Sequence, residues 1–281
     1  MRSDRYLDSV ESENVPTLLE VRRRMHEYYQ GLDYHRKWIK GLNAGWQPSS
    51  HDAQLEMCRR IPPGSRILEL GCGDGSAGSS IQSIVKHVRY VGVDLNPTLW
   101  QHCGDHFVCS RAEQLPFRSS TFDVVLSIFV IEHIVFPATF LEEACRVSRP
   151  GGRLFLIAPD FESNAMASER IGLEYGSGRD KMKRGRLFDA GLTAYDSRVR
   201  LPLKRLLRRV RVRSGYVSFP VLVEPRCLRV PGFVPDCDAV YPASPEEIVG
   251  YLRRRSLATG CEIFYRNRST FGLVATVGSA K

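Results

Sequence analysis

Arg66-Ile-Leu-Glu-Leu-Gly-Cys-Gly-Asp-Gly-Ser-Ala-Gly78 decides the fold. Its first half, Arg66 to Leu70, is short and apolar and follows Pro62-Pro63-Gly64, the pattern of a buried strand. Its second half is a glycine loop that opens into a helix near Ser76. Gly71, Gly73 and Gly75 let the backbone turn sharply and let a ligand approach with no Cβ between. The free N–H groups at the helix start then face that ligand. The spacing is Glu69-x-Gly71-x-Gly73-x-Gly75 with Ser at 76, whereas a dinucleotide fingerprint needs Gly-x-Gly-x-x-Gly. No Lys-Ser or Lys-Thr follows, which excludes a Walker phosphate loop.

Strand and helix alternate from there. A helix is expected over Ser76 to Lys86, then a strand over Val88 to Asp94. Asp94 lies 19 residues after Gly75. A carboxylate at the end of a second strand can accept hydrogen bonds from both ribose hydroxyls of a nucleoside. Leu95 beside it is placed to cover one adenine face. His106 to Cys109 reads as a third strand, and Ser110 to Phe117 as a loop. Phe122 to Ser127 is mostly apolar, with Val124, Val125 and Leu126 in succession, as in a central strand covered on both faces. Its far end, Ser127 to His133, opens where such sheets bind ligands. A helix over Ala138 to Val147 leads to a fifth strand, Arg153 to Ala158. Ser244-Pro-Glu-Glu247 reads as a capping box starting a helix to about Ser256. Cys261 to Arg266 and Thr270 to Val277 are strands joined by a short turn, so they are antiparallel.

This run of features resembles the class I S-adenosylmethionine-dependent methyltransferases, with a core like that of the methyltransferase-11 type. The likeness rests on the glycine loop, on Ala112-Glu-Gln-Leu-Pro-Phe117, on the Glu132-His133 pair after the fourth strand, and on Arg146-Val-Ser-Arg-Pro-Gly-Gly152. It implies an α/β, Rossmann-like, doubly wound sheet of seven strands, mostly parallel with a C-terminal antiparallel hairpin. It implies S-adenosylmethionine as cofactor and S-adenosylhomocysteine as product. The implied cofactor residues are Glu69, Gly71, Cys72, Gly73, Gly75, Asp94, Leu95, Ala112, Glu113 and Ser127. Arg111 departs from the family, which usually has Asp there, so backbone groups at Ala112 or the Glu113 side chain take over the adenine amine. His133 reads either as the general base or as a buried histidine that orients its loop. Metal-dependent relatives carry a carboxylate where Phe129 stands, so no metal is expected. The Asn/Asp-Pro-Pro-Tyr signature of amino-methylating nucleic-acid enzymes is replaced by Ser127-Ile-Phe.

The flanks carry no such motif. The chain has 281 residues, and four segments are expected: helices over 1–60 as a lid, the cofactor core over 61–160, a basic insertion over 161–243, and a closing helix and hairpin over 244–281. Tyr28, Tyr29, Tyr34, His35, Trp38 and Trp46 make the lid aromatic, either for packing or to cover the site. Met1 to Asn14 is polar, which predicts no secretory signal, and no apolar run is long enough to span a bilayer. Eight scattered cysteines without a Cys-x-x-Cys pair predict a reducing, cytoplasmic setting.

The net charge of +9 is concentrated between Arg179 and Arg213, where thirteen Lys and Arg face three Asp. Within it Leu203, Leu206, Leu207 and Val210 form the apolar stripe of a basic amphipathic helix. Three readings fit: the leucines pack on the core, the helix lies on an anionic membrane, or it grips nucleic-acid phosphates. Asp236, Asp238 and Tyr241 close the insertion, as acceptor contacts or as turn residues. The expected reaction is O-methylation of a small molecule, a glycan or lipid-linked intermediate among the candidates. An RNA methyltransferase and a non-catalytic cofactor-binding scaffold are the alternatives.

Overall fold

A computed structural model describes residues 6–30, 53–99, 106–161, 178–228, 238–267 and 270–279. The expected cap at Ser49-Ser50, the aromatics from Tyr34 to Trp46, Asp236 and the tip of the final hairpin lie outside these residues. The strands are β1 (Tyr6–Asp8), β2 (Arg66–Leu70), β3 (Arg89–Asp94), β4 (Phe107–Cys109), β5 (Phe122–Ile128), β6 (Ser148–Pro159), β7 (Pro220–Leu222), β8 (Ala258–Arg266) and β9 (Thr270–Val277). The helices are α1 (Val15–Gln30), α2 (Ala53–Arg60), α3 (Ser76–Ile84), α4 (Pro137–Val147), α5 (Gly178–Lys183), α6 (Leu187–Tyr195), α7 (Leu201–Arg213) and α8 (Pro245–Arg254).

Seven strands form one sheet in the order β4-β3-β2-β5-β6-β9-β8. β2 pairs in parallel with β3 on one side and β5 on the other, so the chain leaves β2 in opposite directions across the sheet. Leu70 lies level with both Val93 and Ser127, which brings the ends of three strands to one crevice. Such a reversal of strand order is where open α/β sheets take ligands. β9 runs antiparallel between β6 and β8, as the hairpin pattern requires.

Alternation along the strands supplies two cores. Ile67, Val124, Leu126, Phe155 and Ile157 face Met57 of α2 and Ile81 of α3. Leu68, Leu70, Val125, Leu154 and Leu156 face Phe140 and Leu141 of α4 and Ile248 and Leu252 of α8. A third cluster holds the additions: Leu18, Val21 and Met25 of α1 pack with Val135, Val221 and Val240.

Four local readings are corrected. The Pro-Gly-Gly stretch is not a clean break before the fifth core strand. Ser148 already pairs with Phe122, and the register shifts before Arg153 pairs with Val124. The polar N-terminus contributes a strand, since β1 pairs antiparallel with β7 of the insertion. Ser244 makes no capping box, because Glu247 is 4% exposed and spent elsewhere. Its Oε2 accepts from the Tyr241 hydroxyl at 3.1 Å, and its Oε1 lies 3.0 Å from Arg208 Nε. Finally, the stripe of α7 does not pack on the core: Leu203, Leu206, Leu207 and Val210 are all about half exposed.

A candidate cofactor loop and acceptor turn at the carboxyl end of the sheet

The glycine loop leaves β2 with Gly71, Gly73 and Gly75 at φ of +74°, +53° and +76°, the left-handed region that side chains resist. The N–H groups of Gly71 and Cys72 both reach the Val93 carbonyl, at 2.7 and 3.0 Å, which holds the loop against β3. Gly71 is fixed twice over, since an added Cβ would stand 2.3 Å from Val130 Cγ2. The turn after β5 therefore lies directly on the loop after β2. Asp74 Oδ1 accepts the Ser76 N–H at 3.0 Å and starts α3.

Asp94 is the organiser of the neighbouring strand end. Its Oδ2 accepts the Gly73 N–H and its Oδ1 the Asn96 N–H, both at 3.0 Å. A carboxylate offers about four acceptor positions and no donor, the chemistry that hydroxyl donors require. An added Cβ at Gly73 would meet nothing within 4 Å among the described residues. The Ser127 hydroxyl is buried at the end of β5 with no hydrogen-bond partner among the described residues. Positive-φ glycines, a carboxylate at the strand end and an orphaned hydroxyl fit a nucleoside that carries a charged amino-acid tail.

The other expected cofactor residues divide into two groups. Leu95, Ala112 and Glu113 are half-buried around the same strand ends. Burial pushes the Glu113 carboxyl up from its ordinary range, against the pull of its own backbone hydrogen bond, Arg22 and Arg111. Glu69 and Cys72 instead point into the protein. Glu69 is 2% exposed, and its Oε2 accepts from the Tyr90 hydroxyl at 2.5 Å. Cys72 packs its thiol against Gly92 of β3.

Beyond β5 the chain makes a strained turn. Phe129 takes φ of +55° and is 40% exposed, an uncommon state for a bulky residue. A short 3-10 turn, Ile131–His133, follows. The Glu132 carbonyl accepts from both Val240 and Tyr241 N–H, at 2.8 and 2.9 Å, so the end of the insertion clamps it. His133 stands between two buried carboxylates: Nε2 is 3.7 Å from Glu132 Oε1, and Nδ1 is 3.7 Å from Asp238 Oδ2. Nδ1 also lies 3.4 Å from the Asp238 carbonyl oxygen.

Tyr29 joins the two halves. Its hydroxyl donates to Asp238 Oδ2 at 3.1 Å, and its ring meets His133 edge-on at 5.9 Å between centroids. Its carbonyl accepts from Asn96 Nδ2 at 2.9 Å, two residues past Asp94. Sequence patterns marked Tyr29 only as one of several aromatics and Asp238 only as one of two acids. Asn96 carried no signal.

Known proteins resemble the core of this chain. Residues 68–156 match the family described as Methyltransferase domain. The phthiotriol/phenolphthiotriol dimycocerosates methyltransferase of Mycobacterium leprae is 40% identical over 98 residues, covering 32% of this chain and 36% of that one. The ubiquinone biosynthesis O-methyltransferase of Parvibaculum lavamentivorans is 31% identical over 117 residues, covering 39% of this chain and 46% of that one. The chain thus spans less than half the length of these curated relatives. Among solved structures, a SAM-dependent methyltransferase of Thermotoga maritima, described as a possible histamine N-methyltransferase, superposes with a TM-score of 0.51 at 14% identity. The match covers 90% of this chain and 99% of that one, a likeness of fold.

Proposed function

From the membership of residues 68–156 in the class I S-adenosylmethionine-dependent methyltransferase family, we propose that the chain methylates a hydroxyl of a small, lipid-type acceptor. The observation that carries the hydroxyl is the imidazole of His133 set between the Glu132 and Asp238 carboxylates at the end of β5. The lipid character rests on the relatives, whose names include a phthiotriol dimycocerosates methyltransferase, a ubiquinone biosynthesis O-methyltransferase and a fatty-acid O-methyltransferase.

When bound, the cofactor supplies an electrophilic methyl on a sulfonium. Asp94 binds the ribose hydroxyls, while the glycine loop leaves room for the amino-acid tail. Leu95, Ala112 and Glu113 line the adenine side. His133, with Nδ1 beside Asp238 and Nε2 beside Glu132, takes the acceptor's proton as the new bond forms. The imidazolium so made sits between two carboxylates that stabilise it. Tyr29 holds Asp238 in position and caps the histidine, and the buried surroundings keep water from competing.

Calorimetric titration with S-adenosylmethionine and S-adenosylhomocysteine, beside a nicotinamide dinucleotide control, is the first test. Both sulfur nucleosides bind and the dinucleotide does not. Radiolabelled methyl transfer into hydroxylated lipids, with total RNA alongside, is the second. Label entering only RNA overturns the acceptor, and bound cofactor with no transfer to any acceptor leaves a scaffold.

A further inference from the structure

We infer that residues 178–213 form a docking surface for an anionic lipid bilayer, and this stands apart from the proposed reaction. Helix α7 is mounted inside out. Leu203, Leu206, Leu207 and Val210 are 54%, 59%, 49% and 55% exposed, and their spacing puts them on one face. The opposite face, with Arg205, Arg208 and Val212, is half-buried. Arg208 is held by Glu247 of α8 at 3.0 Å. Val212 presses on α8 where an added Cβ at Gly250 would stand 2.8 Å from its Cγ1. A polar seat on one side and a close helix approach on the same side leave the leucines pointing outward.

The neighbouring helices expose more of the same. Nine of the fifteen exposed large apolar side chains among the described residues fall between Met182 and Val210, including Leu187 at 68% and Phe188 at 73%. That concentration marks an interaction surface, not scattered surface leucines. The arm is folded without a partner, as Lys181 Nζ donates to Thr193 Oγ1 at 3.1 Å and ties α5 to α6. Among the described residues no helix is long and apolar enough to cross a membrane, so the surface lies on a bilayer and does not span it.

Charge selects the occupant. Thirteen Lys and Arg face three Asp from Arg179 to Arg213. Asp189 is engaged by Arg186 and Asp196 by Arg200. A second copy would set two such cationic arms against each other, which repels. RNA would satisfy the cations, but it would leave the aliphatic stripe of α7 in water, and of the nine exposed apolar side chains only Phe188 and Tyr195 offer rings for bases to stack on. An anionic bilayer takes both features. The leucines enter the boundary of the acyl chains, and the exposed Arg209, Arg211 and Arg213 reach headgroup phosphates.

The test is co-sedimentation of the full chain with vesicles of phosphatidylglycerol and phosphatidylcholine, against pure phosphatidylcholine and against poly(U). The protein pellets with the anionic vesicles at low salt and is released at about 0.5 M salt, where screening is short-ranged. Leu206→Asp with Leu207→Asp lowers the vesicle-bound fraction roughly tenfold or more. Arg209→Gln, Arg211→Gln and Arg213→Gln together do so to a similar degree. Both variants keep the wild-type melting curve, because every altered side chain is exposed. No sedimentation with anionic vesicles overturns the inference. So does vesicle binding that the leucine variant retains, or poly(U) binding with no vesicle binding. Light scattering that shows a dimer dissolved by the leucine variant assigns the surface to a second copy instead.

Discussion

The two sides of the crevice are built by different means. On the proposed cofactor side, backbone does the shaping: three left-handed glycines, a carboxylate holding two N–H groups, and loops that follow their own strands. On the proposed acceptor side, the shaping comes from side chains brought together over long stretches of chain. Tyr29 and Asp238 are 209 residues apart, and Glu132 is clamped by Val240 and Tyr241. A backbone-made site leaves glycines at fixed spacing in the sequence. A side-chain-made site leaves ordinary tyrosines and aspartates that nothing local distinguishes.

Mutations test whether the two sides are separable. The largest expected effect is on turnover. His133→Ala lowers kcat by about a hundred- to ten-thousand-fold, the usual worth of a general base, while calorimetry finds cofactor affinity unchanged. Full activity makes His133 a loop anchor only. Gly71→Ala breaks the cofactor side: the clash with Val130 and the φ of +74° together cost about 2–4 kcal/mol of stability, read by chemical denaturation. A wild-type midpoint shows that the turn after β5 yields easily. Asp94→Ala weakens S-adenosylmethionine by about 2–3 kcal/mol in calorimetry, as lost charged hydrogen bonds do, and leaves vesicle binding intact. Unchanged affinity removes Asp94 from the site. Tyr29→Phe sharpens the comparison most finely, with about 1 kcal/mol lost in transition-state stabilisation, read as kcat/KM. An equal loss in cofactor affinity instead shows that the tyrosine serves both sides.

The same contrast accounts for what could be read in advance. Alternation and turn chemistry marked every strand of the large sheet, because each is a local pattern. The Ser244-Pro-Glu-Glu247 pattern misled, because the half-buried Arg208 and the buried Tyr241 outcompeted the local serine for Glu247. Helix α7 was legible as an amphipathic helix, yet periodicity states only which residues share a face. Which face meets the protein was decided by α8, where Gly250 and Glu247 receive Val212 and Arg208. The pairing of β1 with β7 was hidden for the same reason, being three residues on each side with partners far away in the chain.

Tyr29 carries one more consequence, for how the catalytic unit is delimited. The stretch shared with the methyltransferase family runs over residues 68–156 and would be the natural piece to excise. Cut there, the fragment keeps the glycine loop, Asp94 and His133, and loses both the tyrosine that leans on the histidine and the aspartate that the tyrosine holds. Similarity thus outlines the part proposed to grip the methyl donor, while Tyr29 and Asp238, which the proposed reaction places beside the acceptor, lie in the flanks on either side of it.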